Sequence, residues 1–137
     1  MNRTSRRQFI TGSGKAVMAG TAIFAANHFM DQSELKNTFI HHVYFWLKNP
    51  GSKADLDKLV EGLKRLSKVK TIRQFHIGKP AATNREVIDT SYAVSWFVIF
   101  DNAADQASYQ EDPIHLKFVE ECSPLWEKVI VYDSVDV

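Results

Sequence analysis

The chain has 137 residues, 17 of them basic and 16 acidic, with a formal net charge of +1. Arg3, Arg6, Arg7 and Lys15 all precede residue 27, which leaves 13 basic against 16 acidic residues in the remainder. A body of about 110 residues makes one domain, its slight acidity argues against a nucleic-acid partner, and its single cysteine, Cys122, cannot form an internal disulfide.

Ser5-Arg6-Arg7-Gln8-Phe9-Ile10 precedes the weakly apolar run Ala16 to Ala26. Paired arginines, a following Phe and a short apolar run have the order and length of a twin-arginine export signal over residues 1–26. Its 11 apolar-run residues fall far short of the roughly 20 that cross a bilayer as a helix, so no stable membrane span is expected. Ala25 and Ala26 supply small residues for a cut, whereas Ile23 and Phe24 do not suit the position three residues upstream. The expected partner is the twin-arginine machinery, and the expected location is periplasmic or otherwise extracytoplasmic.

Residues 27–37 are polar and non-periodic, a linker to a domain over residues 38–137. Thr38 to Lys48 reads as a strand closed by the turn Asn49-Pro50-Gly51. Ser52 then caps a helix to about Lys68, with Leu56, Leu59, Val60, Leu63 and Leu66 on one face and Lys58, Glu61, Lys64 and Lys68 on the other. A strand over Thr71 to Gly78, a loop over 79–89 and a strand over Ser91 to Phe100 follow. Asp101 or Asn102 opens a short helix to about Gln110, Pro113 starts another to about Ser123, and Lys128 to Val135 is the last strand. The fold class is α+β: a β-α-β-β-α-β ferredoxin-like sandwich.

Alternation places His42, Tyr44 and Trp46 on one side of the first strand and Val43, Phe45 and Leu47 on the other. In the third strand Tyr92, Val94, Trp96 and Val98 oppose Ala93, Phe97 and Ile99. Both sides are apolar, yet this fold supplies helices for only one. Burial is worth about 25 cal/mol per Å² of apolar surface, so the second side calls for a partner sheet. The expectation is a homodimer through the sheet face, two sheets closing into a dimeric α/β barrel.

The segment Tyr109-Gln-Glu-Asp-Pro113-Ile-His115-Leu-Lys-Phe118 holds a phenol and an imidazole around a proline turn. His115, Phe118, Val119 and Cys122 share one helical face, which turns inward, while Lys117, Glu120 and Glu121 lie opposite. Together with Leu125-Trp126-Glu127-Lys128, the closing strand, Gly78 and the opening His42-Val43-Tyr44-Phe45-Trp46-Leu47-Lys48, this segment resembles the stress-responsive α/β barrel family, the dimeric ferredoxin-like domains called Dabb. The resemblance covers about residues 38 to 135. It implies a pocket between sheet and helices, as in the plant polyketide cyclases of the family, where the matching histidine and the tyrosine six residues before it act on substrate. The carried-over pair is Tyr109 and His115, with His42, Tyr44, Trp46, Leu59 and Phe118 as ligand-binding wall. Where many members have a second histidine before the proline, this chain has Asp112, a cap for the following helix or a partner for His115.

A histidine takes a proton near neutrality and a tyrosine hydroxyl polarises a carbonyl. The pair suits proton abstraction beside a carbonyl with no cofactor and no metal. His41 and His42 point to opposite faces of their strand and cannot hold one ion, and no other histidine, cysteine or acid spacing forms a ligand set. Gly12-Ser13-Gly14-Lys15 is not a phosphate loop, and no nucleophile elbow is present. Three readings stand: a module binding a small apolar, aromatic or carbonyl-bearing ligand; a cofactor-independent cyclase, lyase or isomerase with His115 as base and Tyr109 as hydrogen-bond donor; and a haem-binding or monooxygenase-like barrel. Packing alone also accounts for an inward His115 and for Cys122 as a small buried helix residue.

Overall fold

A computed structural model describes residues 32–137; the expected leader, and the linker up to residue 31, lie outside the described residues. Residues 32–36 carry no regular structure, and Asn37 takes a left-handed φ of 54° just before the first strand. From there the order is β1 (Phe39–Leu47), α1 (Lys53–Leu66), β2 (Gln74–Gly78), β3 (Val94–Phe100), α2 (Ala103–Glu111), α3 (Pro113–Cys122), a 3-10 turn (Ser123–Leu125) and β4 (Trp126–Val135).

Each helix begins where its sequence supplies a cap. Ser52 Oγ accepts from the Asp55 N–H at 3.2 Å, and Asp55 at the start with Lys64 and Arg65 near the end complements the dipole of α1. Asn102 Oδ1 accepts from the Asp105 N–H at 2.8 Å, and Asp112 Oδ1 from the Ile114 N–H at 2.8 Å. Asp112 thus caps α3, as its place before Pro113 suggests. Its extended backbone, φ −62° and ψ 135°, is what a following proline imposes, and it separates α2 from α3.

The four strands form one antiparallel sheet in the order β2-β3-β1-β4. Val43, Phe45 and Leu47 of β1 and Val94, Trp96, Val98 and Phe100 of β3 meet Leu59, Leu63 and Leu66 of α1 in a core that also holds Tyr109, Phe118 and Cys122. Burying each large aliphatic side chain contributes about 1.5–3 kcal/mol, so the α1 stripe alone commits one sheet face to the helices. The opposite face carries Ile40, His42, Tyr44 and Trp46 of β1, aligned with Ile99, Phe97 and Ser95 of β3 and with Ser134, Tyr132, Ile130 and Lys128 of β4. The three described helices all pack on the first face, and among the described residues the second face is left to its own strands.

Three expectations are corrected. β2 starts at Gln74, because residues up to Ile72 are still turning out of α1, with the Ile72 N–H bonded to the Val69 carbonyl at 3.2 Å. β3 starts at Val94, so alternation begins there, and Tyr92 lies instead beside Tyr44 and Trp46 with ring centroids 4.9 and 6.5 Å away. Val119, expected inward, is 37% exposed because α3 turns its buried stripe through Phe118 and Cys122.

Candidate functional site

The break at Asp112-Pro113 brings the last turn of α2 against the first turn of α3, leaving the Tyr109 and His115 rings 4.7 Å apart between centroids. Tyr109 is 1% exposed. Its oxygen accepts from the indole N–H of Trp96 at 3.0 Å, and since an indole can only donate, the phenolic proton remains available. Burial pushes the Tyr109 hydroxyl well above the usual phenol range, an effect the indole N–H only partly offsets. The group stays a neutral donor at any ordinary pH.

His115 is half-buried, and its Nδ1 lies 3.1 Å from the Gln110 carbonyl oxygen. A carbonyl only accepts, so Nδ1 carries the proton and Nε2 keeps a free lone pair. Burial lowers the His115 pKa; the Gln110 carbonyl works against this, His41 adds to it, and Asp112 again opposes it. The imidazole is therefore neutral over a wider range than a free histidine.

The third member was missed in the sequence. His41, 4% exposed, sits on the helix-covered face with its ring 5.7 Å from Tyr109 and 6.4 Å from Phe100. Its Nδ1 donates to Asp133 Oδ1 at 2.6 Å, from the residue directly opposite on β4. The sequence signal was phase: His41 alternates with Val43, Phe45 and Leu47. With both sides of the strand apolar, that phase did not say which histidine of the doublet meets the helices.

The expected site residues divide between the two faces of the sheet. Tyr109, His115, Leu59 and Phe118 lie on the helix side, Leu59 fully buried and Phe118 6% exposed. His42, Tyr44 and Trp46 lie on the other face, so the expectation that they share one space with His115 is not met. There His42 stacks on Tyr44 at 4.4 Å and contacts Phe97 edge-on at 5.2 Å. Burial lowers the His42 pKa, with His76 and then His41 adding to it. Tyr44, Trp46, Tyr92, Ile130 and Tyr132 line a hollow of about 350 Å³ together with Asp89 and Lys128, whose ammonium lies 4.5 Å from the Trp46 ring centroid. Trp46 Nε1 donates to Ser91 Oγ at 2.9 Å, which ties the loop to β1. Among the described residues no group of three potential ligands could hold a metal ion.

The model of the stress responsive A/B barrel domain matches residues 39–136. No curated protein matches the chain. Among solved structures, a Dabb family protein with a ferredoxin-like fold from Mesorhizobium loti is 24% identical at TM-score 0.61, over 73% of this chain and 97% of its own. A hydroxynitrile lyase from Passiflora edulis is 19% identical at TM-score 0.63, over 73% and 94%. A dimeric protein of ferredoxin-like fold from Bacteroides fragilis is 18% identical at TM-score 0.58, over 75% and 100%.

Proposed function

We propose, from the premise that this chain belongs to the stress responsive A/B barrel domain family, that it is a cofactor-independent acid–base catalyst of lyase or isomerase type. Its substrate is a small, largely apolar molecule bearing a carbonyl, or a hydroxyl that becomes one. The observation carrying this reading is that each polar group of the cluster makes one hydrogen bond with the scaffold, Tyr109 as acceptor and the two histidines as donors, and keeps one reactive atom. Trp96 fixes the Tyr109 oxygen and leaves its proton, the Gln110 carbonyl fixes His115 Nδ1 and leaves Nε2, and Asp133 fixes His41 Nδ1 and leaves its Nε2. A core histidine satisfied only for packing needs no such company.

The step follows from those atoms. His115 Nε2 removes a proton from a carbon next to the carbonyl, or from the hydroxyl of a hydroxynitrile, while the Tyr109 hydroxyl bonds the oxygen on which charge changes. In the hydroxynitrile case the O–H electrons form the carbonyl and the bond to the nitrile carbon breaks. Cyanide leaves with that electron pair and recovers the proton from the His115 imidazolium. The Passiflora relative gives this substrate class its place in the test. An aromatic hydroxynitrile and an aromatic β-hydroxyketone are offered to the chain, and carbonyl release is followed for the parent, His115→Ala and Tyr109→Phe. Release lost in His115→Ala, with folding intact, supports catalysis.

The near-complete burial of Tyr109 favours a second reading, a module that holds the same class of ligand without turnover. Ligand bound and recovered unchanged would select it. On either reading the open sheet face takes a second copy of the chain, which the 62% exposed Tyr132 and the row His76, Phe97, His42 and Tyr132 across the sheet both support. A monomer in sedimentation at micromolar concentration would contradict this. The leader's Arg6-Arg7 would send the folded domain out of the cytoplasm, and export persisting after Arg6→Lys and Arg7→Lys would overturn that part.

A further inference from the structure

On the outer side of the molecule, away from the sheet, α1 and α3 cross and leave a groove of about 400 Å³. The crossing is close because residue 62 is glycine: a Cβ there would stand 2.5 Å from Cys122 Sγ and 3.2 Å from the Phe118 ring. The floor is therefore the buried ring of Phe118 and the backbone at Gly62, with the 36% exposed Ile114 beside them. The volume is within the range of small-molecule sites, at its lower end.

The rim is charged with one sign in excess. Lys64, Arg65, Lys68 and Lys117 border it against Glu61 and Glu121. Both carboxylates are already engaged, Glu61 by Lys64 at 2.9 Å, and Glu121 by Arg65 at 3.2 Å and Lys117 at 3.8 Å. Lys68 makes no ion pair among the described residues. A solvated helix face accounts for lysines at these positions but not for an apolar floor enclosed between them.

We infer that this groove binds a small amphipathic anion, its apolar tail over Phe118 and Ile114 and its carboxylate or similar head at Lys64 and Lys68. An apolar floor selects against a bare ion, and a rim with about two uncompensated positive charges selects against a neutral or cationic amphiphile. Neither Tyr109 nor His115 lines the groove, so the site is separate from that pair and does not rest on the acid–base reading.

The test titrates the full chain with decanoate, decanol and decyltrimethylammonium, reading backbone amide shifts. Decanoate is expected to give saturable shifts at Gly62, Ile114 and Phe118, decanol to bind at least about tenfold more weakly, and the cation more weakly still. Added salt weakens decanoate alone. The double variant Lys64→Glu and Lys68→Glu, the first exposed on α1 and the second exposed just past its end, loses about tenfold in decanoate affinity, while His115→Ala keeps it. Equal affinity for the three headgroups, shifts centred on Tyr109 and His115, or no saturable shift up to about 5 mM would each overturn the inference.

Discussion

The two faces of one sheet use the same kinds of residue to different ends. On the helix-covered face, an imidazole, a phenol and an indole are buried and a second imidazole is half-buried, and each group has one partner in the scaffold: His41 has Asp133, Tyr109 has Trp96, and His115 has the Gln110 carbonyl. On the open face, His42, Tyr44, Trp46, Tyr92 and Tyr132 touch mainly one another, edge-on or stacked. Tyr132 remains 62% exposed. Burial with fixed protons suits chemistry, whereas half-exposed aromatic surface suits association. Aromatic composition does not separate the two, and neither does hydrogen bonding by itself, since Trp46 bonds Ser91 and the Tyr44 hydroxyl lies 3.3 Å from His42 Nδ1; depth of burial does.

Truncation should break the comparison most visibly. Leu63→Ala removes a fully buried side chain between α1 and the sheet and is expected to cost about 2–5 kcal/mol in denaturant unfolding. Tyr132→Ala on the open face is expected to cost the folded chain no more than about 0.5 kcal/mol, apart from any loss of the dimer.

The next largest effect separates the faces by activity. With a turned-over carbonyl substrate, His115→Ala is expected to lower the rate by about 100-fold or more, with Asp133→Asn giving a smaller loss because it only loosens His41. His42→Ala should leave the rate within about twofold of the parent, since a group that touches no reacting atom contributes little to the barrier. A His42 variant as damaged as the His115 variant would mean that the sheet does not divide the site.

Association is expected to respond the other way. Tyr132→Asp places a charge on the open face and should weaken self-association by about tenfold or more in sedimentation at graded concentrations, while His115→Ala leaves it unchanged.

The smallest effect is that of pH. The pKa of His115 is lowered on folding, so in the window below about 6.5 the unfolded chain binds more protons than the folded one. The stability contribution is complete above that value and is lost as pH falls through it toward the lowered folded pKa. Urea midpoints at about pH 7.5 and about pH 5.5 should therefore differ less in His115→Gln than in the parent. The same sign applies to catalysis, whose acid limb should have its midpoint below the ordinary histidine value.

Most of the fold was legible. Leu59, Leu63 and Leu66 recur at helical spacing, Ser52, Asn102 and Asp112 stand where caps must stand, and Pro113 fixes the break that joins Tyr109 to His115. Strand starts were less so, because Thr71 and Tyr92 have strand propensity but lie before the first paired residues, Gln74 and Val94. The site was legible on its helices and not on its sheet. Period 3.6 against a charged opposite face names the buried side of α3, whereas β1 is apolar on both sides. His41 and His42 are then equivalent until β4 is placed, and only the pairing of His41 with Asp133, 92 residues later, distinguishes them.

Both the base and its pH dependence turn on His115 holding its proton on Nδ1 and offering Nε2. Nitrogen NMR of the imidazoles in the labelled chain at about pH 7 reads this with no substrate required. The Nδ1–H form is expected for His115, retained as pH falls below the usual histidine range. Finding His115 in the Nε2–H form would contradict it, because the atom assigned as base would already carry the proton.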